Sequence, residues 1–407
     1  MKKSKLVLKI LMLITPFFFM GCQNDANQIE NTVTEVTIAE TLSDFSSEPI
    51  PGQYIVVLNG ESTAKKTHLK YSQMKSVITN EIVAKFSNAQ LAKENIVQTY
   101  GYAVNGFAAK INKDQLKILK ADSRVKSIEQ DQMITLGKPS KPGSGGGGST
   151  TPPVQETPWG IARVNGGVSE STRTAWIIDT GIDLDHPDLN VDISRSSSFL
   201  GGRDANNPDD GNGHGTHVAG TIAAYNNDFG VIGVASGAKV VAVRVLDSRG
   251  SGSYSGVMAG VDYVGREGKE GDVANMSLGG SYSKALNEAV IAASSGGVIF
   301  CIAAGNSGAD ANNYSPASAN GDYIVTVSAS DSNDNFAYFS NYGNPPIDWC
   351  APGVSIKSTW KNGGYNTISG TSMATPHVAG VLLLGAGQSG GLVNGDKDGT
   401  PDTIIAH

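Results

Sequence analysis

Only three of the 407 residues are cysteine, so no disulfide framework holds this chain together. Charged residues make up 17% and aromatic residues 7%, and the formal charge of −7 gives no reason to expect a nucleic-acid partner. Histidine is scarce, at six residues. His214 and His217 are spaced like a metal pair, but no Glu stands between them as in an H-E-x-x-H zinc site. Zinc is therefore set aside, and His217 and His377 are read as packing or hydrogen-bonding residues. Glycine, by contrast, is abundant at 50 residues, which suits a globular chain with many turns and close backbone approaches.

The N-terminus carries Lys2, Lys3, Lys5 and Lys9 ahead of the apolar run from Ile10 to Met20. The run is too short to span a bilayer comfortably and reads as an export signal. Phe19-Met20-Gly21-Cys22 resembles a bacterial lipoprotein box, with Phe19 where Leu is usual. That resemblance implies a signal over residues 1–21, lipid on Cys22 and a polar tether over 22–50. The protein is then expected at the cell envelope as a lipoprotein, or outside the cell after processing. Cys301 and Cys350 remain. Cys301 lies in the apolar run Val298-Ile299-Phe300-Cys301-Ile302 and reads as a buried, inert thiol, while a bridge between the two stays open.

Residues 51–136 mix strand-like stretches (Gln53 to Leu58, Val125 to Leu136) with helical apolar spacing over Lys113 to Ala121, a small α+β unit. Residues 137–153, with Gly145 to Gly148 and several Ser and Pro, have linker composition. From Val154 to His407, β-rich runs at Thr174 to Ile178, Val240 to Leu246, Val273 to Leu278, Val298 to Ala303 and Ile324 to Val327 alternate with helical patterns such as Ser253 to Val264 and Ser283 to Ala293. Such alternation predicts an α/β domain around a mainly parallel sheet. Charge divides at the same place. Residues 51–136 hold 12 Lys/Arg and 7 Asp/Glu, net +5, whereas 154–407 hold 13 and 25, net −12. Opposite signs would speed association of the two parts.

Peptide hydrolysis at neutral pH needs an activated hydroxyl, a base, an acid that orients the base, and donors for the oxyanion. Trp176-Ile177-Ile178-Asp179-Thr180-Gly181 places an acid where an apolar strand meets a glycine turn. Gly213-His214-Gly215-Thr216-His217-Val218-Ala219-Gly220 presents His214 at the start of a helix of small residues. Gly370-Thr371-Ser372-Met373-Ala374-Thr375-Pro376-His377 does the same for Ser372, with Pro376 tolerable only near the helix start.

In the order Asp, His, Ser, these segments resemble the subtilisin-like serine peptidases from Trp159 to about Leu384. The resemblance implies a three-layer subtilisin-like α/β domain, with Ser372 as nucleophile, His214 as general base and then acid, and Asp179 as the orienting acid. Ala303-Ala304-Gly305-Asn306-Ser307-Gly308 adds Asn306 as an oxyanion donor beside the Ser372 N–H. Gly250-Ser251-Gly252 resembles the edge strand that pairs with substrate, and Ser277-Leu278-Gly279 the opposite wall of the specificity pocket. With Ala303, Ala304 and Gly305 as small walls, that pocket should accept sizeable apolar side chains. Pro158 to Arg163 and Asn313 to Ser318 look closest to the proteinase K branch.

No catalytic cofactor is implied. A structural calcium is, at Asp348 with backbone carbonyls near Asp322 and Ile324. Asn394, Asp396, Asp398, Gly399 and Asp402 echo a calcium loop, but Ile405 stands where the bidentate Glu belongs, and a polar terminal turn is the reading preferred.

Residues 51–136 resemble the family's inhibitor-like propeptide, through Gln53 to Leu58, Val104-Asn105-Gly106-Phe107-Ala108-Ala109 and Val125 to Asp131. Its tail is expected in the cleft as a product, with self-cleavage at or just after Leu136. The whole reads as a secreted, monomeric, self-processing endopeptidase zymogen acting on proteins or peptides. Acyl transfer to an amine, or a silenced module that keeps only the fold, are the competing readings.

Overall fold

The structure is a computed structural model, and it describes residues 46–62, 69–136, 153–169 and 171–407. The export signal, Cys22 and nearly all of the linker lie outside the described residues.

The first unit is built from β1 (Ser46–Leu58), α1 (Tyr71–Lys85), β2 (Ile96–Tyr100), β3 (Gly106–Lys110), α2 (Lys113–Ala121) and β4 (Val125–Thr135). The strands pair antiparallel in the order β2-β3-β1-β4. Met74, Ile78 and Ile82, one helical face of α1, pack with Val56, Phe107 and Leu119 over the sheet. Helix α2 opens on a capping box: Asn112 accepts the Gln115 N–H at 2.9 Å, and Gln115 accepts the Asn112 N–H at 3.0 Å. The polar tether expected over 22–50 is corrected at its end. Ser46 to Pro49 belong to β1, because the free edge of β4 offers pairing partners from Thr135 to Gln132.

The second unit opens with α3 (Trp159–Arg163), β5 (Thr174–Asp179), the short β6 (Asn190–Val191) and β7 (Ser197–Ser198), and α4 (His214–Ala223). Next come β8 (Lys239–Arg244), β9 (Ser251–Ser253), α5 (Tyr254–Glu267), β10 (Val273–Met276), β11 (Gly280–Ser281), α6 (Lys284–Ser294) and β12 (Ile299–Ala303). The rest is β13 (Tyr314–Ser315), β14 (Ile324–Ser330), β15 (Ile347–Pro352), the hairpin β16 (Ile356–Trp360) and β17 (Gly364–Ile368), α7 (Thr371–Leu384), β18 (Gln388–Leu392) and β19 (Thr403–Ala406). The main sheet runs β18-β19-β15-β14-β12-β10-β5-β8-β6, with β7 also on β8. Its pairings are parallel except for β18 with β19.

Both faces of the sheet are covered, as a parallel sheet requires. Alternate residues of β5 show it: Trp176 and Ile178 enter the core shared with α5 and α6, and Ala175 and Ile177 the core shared with α4 and α7. This is the three-layer α/β arrangement expected.

The cysteine question closes on register. Cys301 in β12 pairs with Val325, and Cys350 in β15 pairs with Ser328, so β14 lies between them. Two strand spacings amount to about 9.6 Å, beyond the reach of a disulfide. Both thiols are free and buried, and burial pushes Cys350 up to about 12.

Candidate active site

Asp179 closes β5 and His214 opens α4, both buried. The imidazole Nδ1–H donates to Asp179 Oδ1 at 2.8 Å and faces Oδ2 at 3.0 Å, while the Thr180 N–H holds Oδ1 at 2.7 Å. This close approach needs small neighbours. Gly213 has φ +118° and lies against the Trp360 ring, and a Cβ on Gly215 would overlap the Gly181 carbonyl oxygen. The Gly215 N–H donates to Thr180 Oγ1 at 2.9 Å. Among the described residues His214 Nε2 has no hydrogen-bond partner.

Ser372 is the second residue of α7, a helix buried nearly all round and packed on α4, β10 and β12. Asn306 lies in the turn after β12. Its Oδ1 accepts the Thr371 N–H at 2.8 Å and the Thr371 hydroxyl at 2.9 Å, which leaves Nδ2 buried and unpartnered. Thr371 Oγ1 also accepts the Gly305 N–H at 3.1 Å. Ser372 Oγ donates to the Ser277 carbonyl at 3.2 Å. Two polar groups, His214 Nε2 and Asn306 Nδ2, are thus held in place by their other atoms with no partner of their own. Thr180 and Thr371, which hold them, escaped the sequence reading, although each adjoins a motif residue.

The edge strand β9 is already paired. Met133, Ile134 and Thr135 of β4 run antiparallel to Ser253, Gly252 and Ser251, and the Leu136 N–H donates to the Gly250 carbonyl at 2.9 Å. This is strand addition, in which backbone bonds supply the recognition. Ile134 is buried with Tyr254, Leu278 and Leu286. On the other edge of the tail lies the start of β1, where Ser47 Oγ accepts the Ser281 N–H at 3.1 Å. Ala303, Ala304 and Gly305 are buried at the end of β12, and Ser277 to Gly279 follow β10.

Carboxylates secure the rest of this contact. Glu129 accepts the Ala285 N–H at 3.0 Å and the Ser283 hydroxyl at 2.8 Å, and Asp131 accepts the Ser255 N–H at 3.1 Å. Each thereby occupies the first turn of α6 or α5, where unpaired N–H groups and the helix dipole favour an anion. In return Asp262 of α5 accepts the N–H groups of Gly101, Tyr102 and Ala103 at 3.1, 2.7 and 2.7 Å. Among the described residues one ion pair, Lys126 with Glu288 at 2.9 Å, also joins the units. The opposite net charges seen in the sequence are therefore met mainly by acids bonded to backbone, not by acid with base.

His217 Nε2 meets the Ile356 carbonyl at 3.0 Å and His377 Nδ1 the Met373 carbonyl at 2.8 Å. Burial lowers them to about 3 and about 4, so both are neutral packing residues at pH 7. Among the described residues no group of three His, Cys, Asp or Glu side chains could hold a metal. Asp348 Oδ2 accepts the Thr326 N–H at 2.8 Å. Asp396 and Asp398 bond backbone of their own loop, and Asp402 accepts from Ser328 and Asn344. The terminal turn gives way to β19, in which Ile405 is buried.

Comparison with known proteins agrees with this geometry. Residues 176–388 match the Subtilase family, and residues 53–137 match the Peptidase inhibitor I9 family. The alkaline serine protease ver112 of Corniculantispora psalliotae is 37% identical over 375 residues, covering 88% of this chain and 86% of that protein. The cuticle-degrading protease of Metarhizium anisopliae is 38% identical over 335 residues, covering 76% and 80%. A crystal structure of a cold adapted subtilisin-like serine proteinase is 41% identical with a TM-score of 0.54, covering 61% of this chain and 97% of that one. The chain belongs to the subtilase family. It is a subtilisin-like serine endopeptidase made as a zymogen with an inhibitory propeptide, and it needs no cofactor for catalysis.

Proposed function

We propose that Ser372 attacks the scissile carbonyl, that His214 Nε2 takes its proton and later gives it to the leaving amine, and that Asp179 holds the imidazole with Nδ1–H toward itself. The observation that carries this reading is the His214–Asp179 bond at 2.8 Å with Nε2 left free. For attack, Ser372 Oγ turns from the Ser277 carbonyl to Nε2. The proton then resides on the imidazole, whose positive charge the buried Asp179 carboxylate stabilises. The tetrahedral oxyanion is bound by Asn306 Nδ2 and the Ser372 N–H. Collapse expels the amine and leaves an acyl-enzyme, which water attacks by the same steps. A fluorophosphonate tests the assignment directly: covalent mass is expected on Ser372, and an unlabelled Ser372 in active enzyme overturns it.

Asn306→Leu is expected to lower kcat about 100- to 1,000-fold with KM nearly unchanged, a scale taken from this donor in subtilisin itself. A fall below fivefold would remove Asn306 from the oxyanion site.

Substrate is proposed to replace the propeptide tail on Gly250 to Gly252, with Ser277 to Gly279 and Ala303 to Gly305 forming an apolar pocket before the cut. The pairing of Ile134 with Gly252 and the bond from Leu136 to Gly250 support self-cleavage at or just after Leu136. Export with lipidation at Cys22 rests on the N-terminal sequence. Cys22→Ser is expected to move the protein from the membrane fraction to the soluble one, and an unchanged distribution refutes the anchor. Calcium at Asp348 would be held by that carboxylate with backbone carbonyls. Chelation is then expected to lower the melting temperature of wild type but not of Asp348→Ala, and equal shifts refute the site.

A further inference from the structure

Helix α7 contains Pro376, four residues after Ser372. An α-helix gives the carbonyl of residue i to the N–H of residue i+4, and proline has no N–H, so the Ser372 carbonyl lacks its usual intrahelical donor. A side chain from another element supplies one. Ser277 Oγ donates to the Ser372 carbonyl at 2.8 Å. Asn275 Nδ2 donates to the same Oγ at 2.8 Å, which commits the hydroxyl proton to that carbonyl. Ser372 Oγ donates back to the Ser277 carbonyl at 3.2 Å. All three residues are fully buried, so water cannot substitute for a missing partner at low cost.

Asn275 sits in the middle of the main sheet, paired with Ile177 on one side and Cys301 on the other. The chain of bonds Asn275 to Ser277 to Ser372 therefore ties the first turn of α7 to a strand bonded on both edges.

We infer that Ser277 is a positioning residue for the nucleophile, its hydroxyl standing in for the N–H that Pro376 lacks. The inference rests on the reading of Ser372 as nucleophile. The carbonyl and the N–H of Ser372 belong to one turn of backbone, so holding the carbonyl also aims the N–H proposed for the oxyanion and fixes the Cα from which Oγ reaches His214. The residue whose backbone lines the cleft thereby sets the register between cleft and nucleophile. A small wall residue could be alanine; this role needs the hydroxyl.

A double-mutant cycle separates the two. Ser277→Ala in the mature enzyme is expected to lower kcat, and the rate of fluorophosphonate labelling, about tenfold with KM within twofold, the scale of one buried hydrogen bond. The probe makes little use of the cleft, so a mere wall residue would leave its rate alone. In a Pro376→Ala background the new backbone N–H can donate to the Ser372 carbonyl, and adding Ser277→Ala is expected to cost less than threefold. Equal losses in both backgrounds, or a change confined to KM, overturn the inference. Ser277→Cys, which keeps a donor at this position but a weak one on a larger atom, should fall between serine and alanine. If the alanine variant does not accumulate as mature enzyme, the self-cleavage rate of the refolded full chain supplies the same comparison. Wild type that hydrolyses peptides without labelling at Ser372 sinks the reading of the nucleophile itself; labelled wild type with an additive cycle sinks only the role of Ser277.

Discussion

Ser372→Ala should abolish peptide hydrolysis and leave the full chain uncut when it is purified alone. The expected fall in kcat is on the order of a millionfold, the scale found in subtilisin itself, where the nucleophile and base act as a unit. The physical reason lies in the residues left behind. His214 Nε2 would have no hydroxyl to deprotonate, and Asn306 could still polarise a carbonyl but nothing would attack it except water. The fold should tolerate the change, because the Ser372 side chain makes one hydrogen bond, at 3.2 Å, while its backbone is held by Ser277. The intact masses of wild type and variant check this. Wild type should divide near Leu136, and a variant still cut at that bond with no other protease present would show that the chain does not process itself.

Asp179→Asn should give the second largest loss, about 10,000-fold in kcat, the scale of the same change in a Ser-His-Asp triad of the chymotrypsin type. The Thr180 N–H keeps an oxygen at the Oδ1 position, so the new amide NH2 takes the place of Oδ2, 3.0 Å from His214 Nδ1. There it confronts Nδ1–H donor to donor, while the oxygen left at the Oδ1 position, 2.8 Å from Nδ1, is a neutral amide oxygen and a weaker acceptor than the carboxylate, so the tautomer with the proton on Nε2, which cannot accept a proton from Ser372, gains population. The charge that stabilises the imidazolium is lost as well. KM should change little, because Asp179 is fully buried behind the histidine. Steady-state kinetics decide it, and a loss of less than tenfold would mean that Asp179 does not orient the base.

The fold was legible where local pattern and burial coincide. Lys113 to Ala121 is α2 residue for residue, and the apolar runs at Thr174, Val273 and Val298 became neighbouring strands of a sheet buried on both faces. The start of β1 was not legible. Ser46 to Pro49 has no apolar alternation, and it forms a strand only because β4 has an edge to be covered. Thr403 to Ala406 is similar: a polar stretch precedes it, and the open edge of β15 makes it a strand.

The motif residues Asp179, His214, Ser372 and Asn306 were evident because each stands among the glycines and small residues that its close approach requires. That chemistry is local, and residue type and spacing along the chain determined it. Which groups hold those residues was decided by the tertiary structure. Glu129 and Asp131 read as ordinary charges until the starts of α6 and α5 are placed beside them, and Ser277 reads as a small wall residue until the Ser372 carbonyl, 95 positions away, is found at its hydroxyl. A hydrogen-bond partner is fixed by position in space, and positions this far apart in the chain are brought together only by closure of the sheet and the packing of α7 upon it.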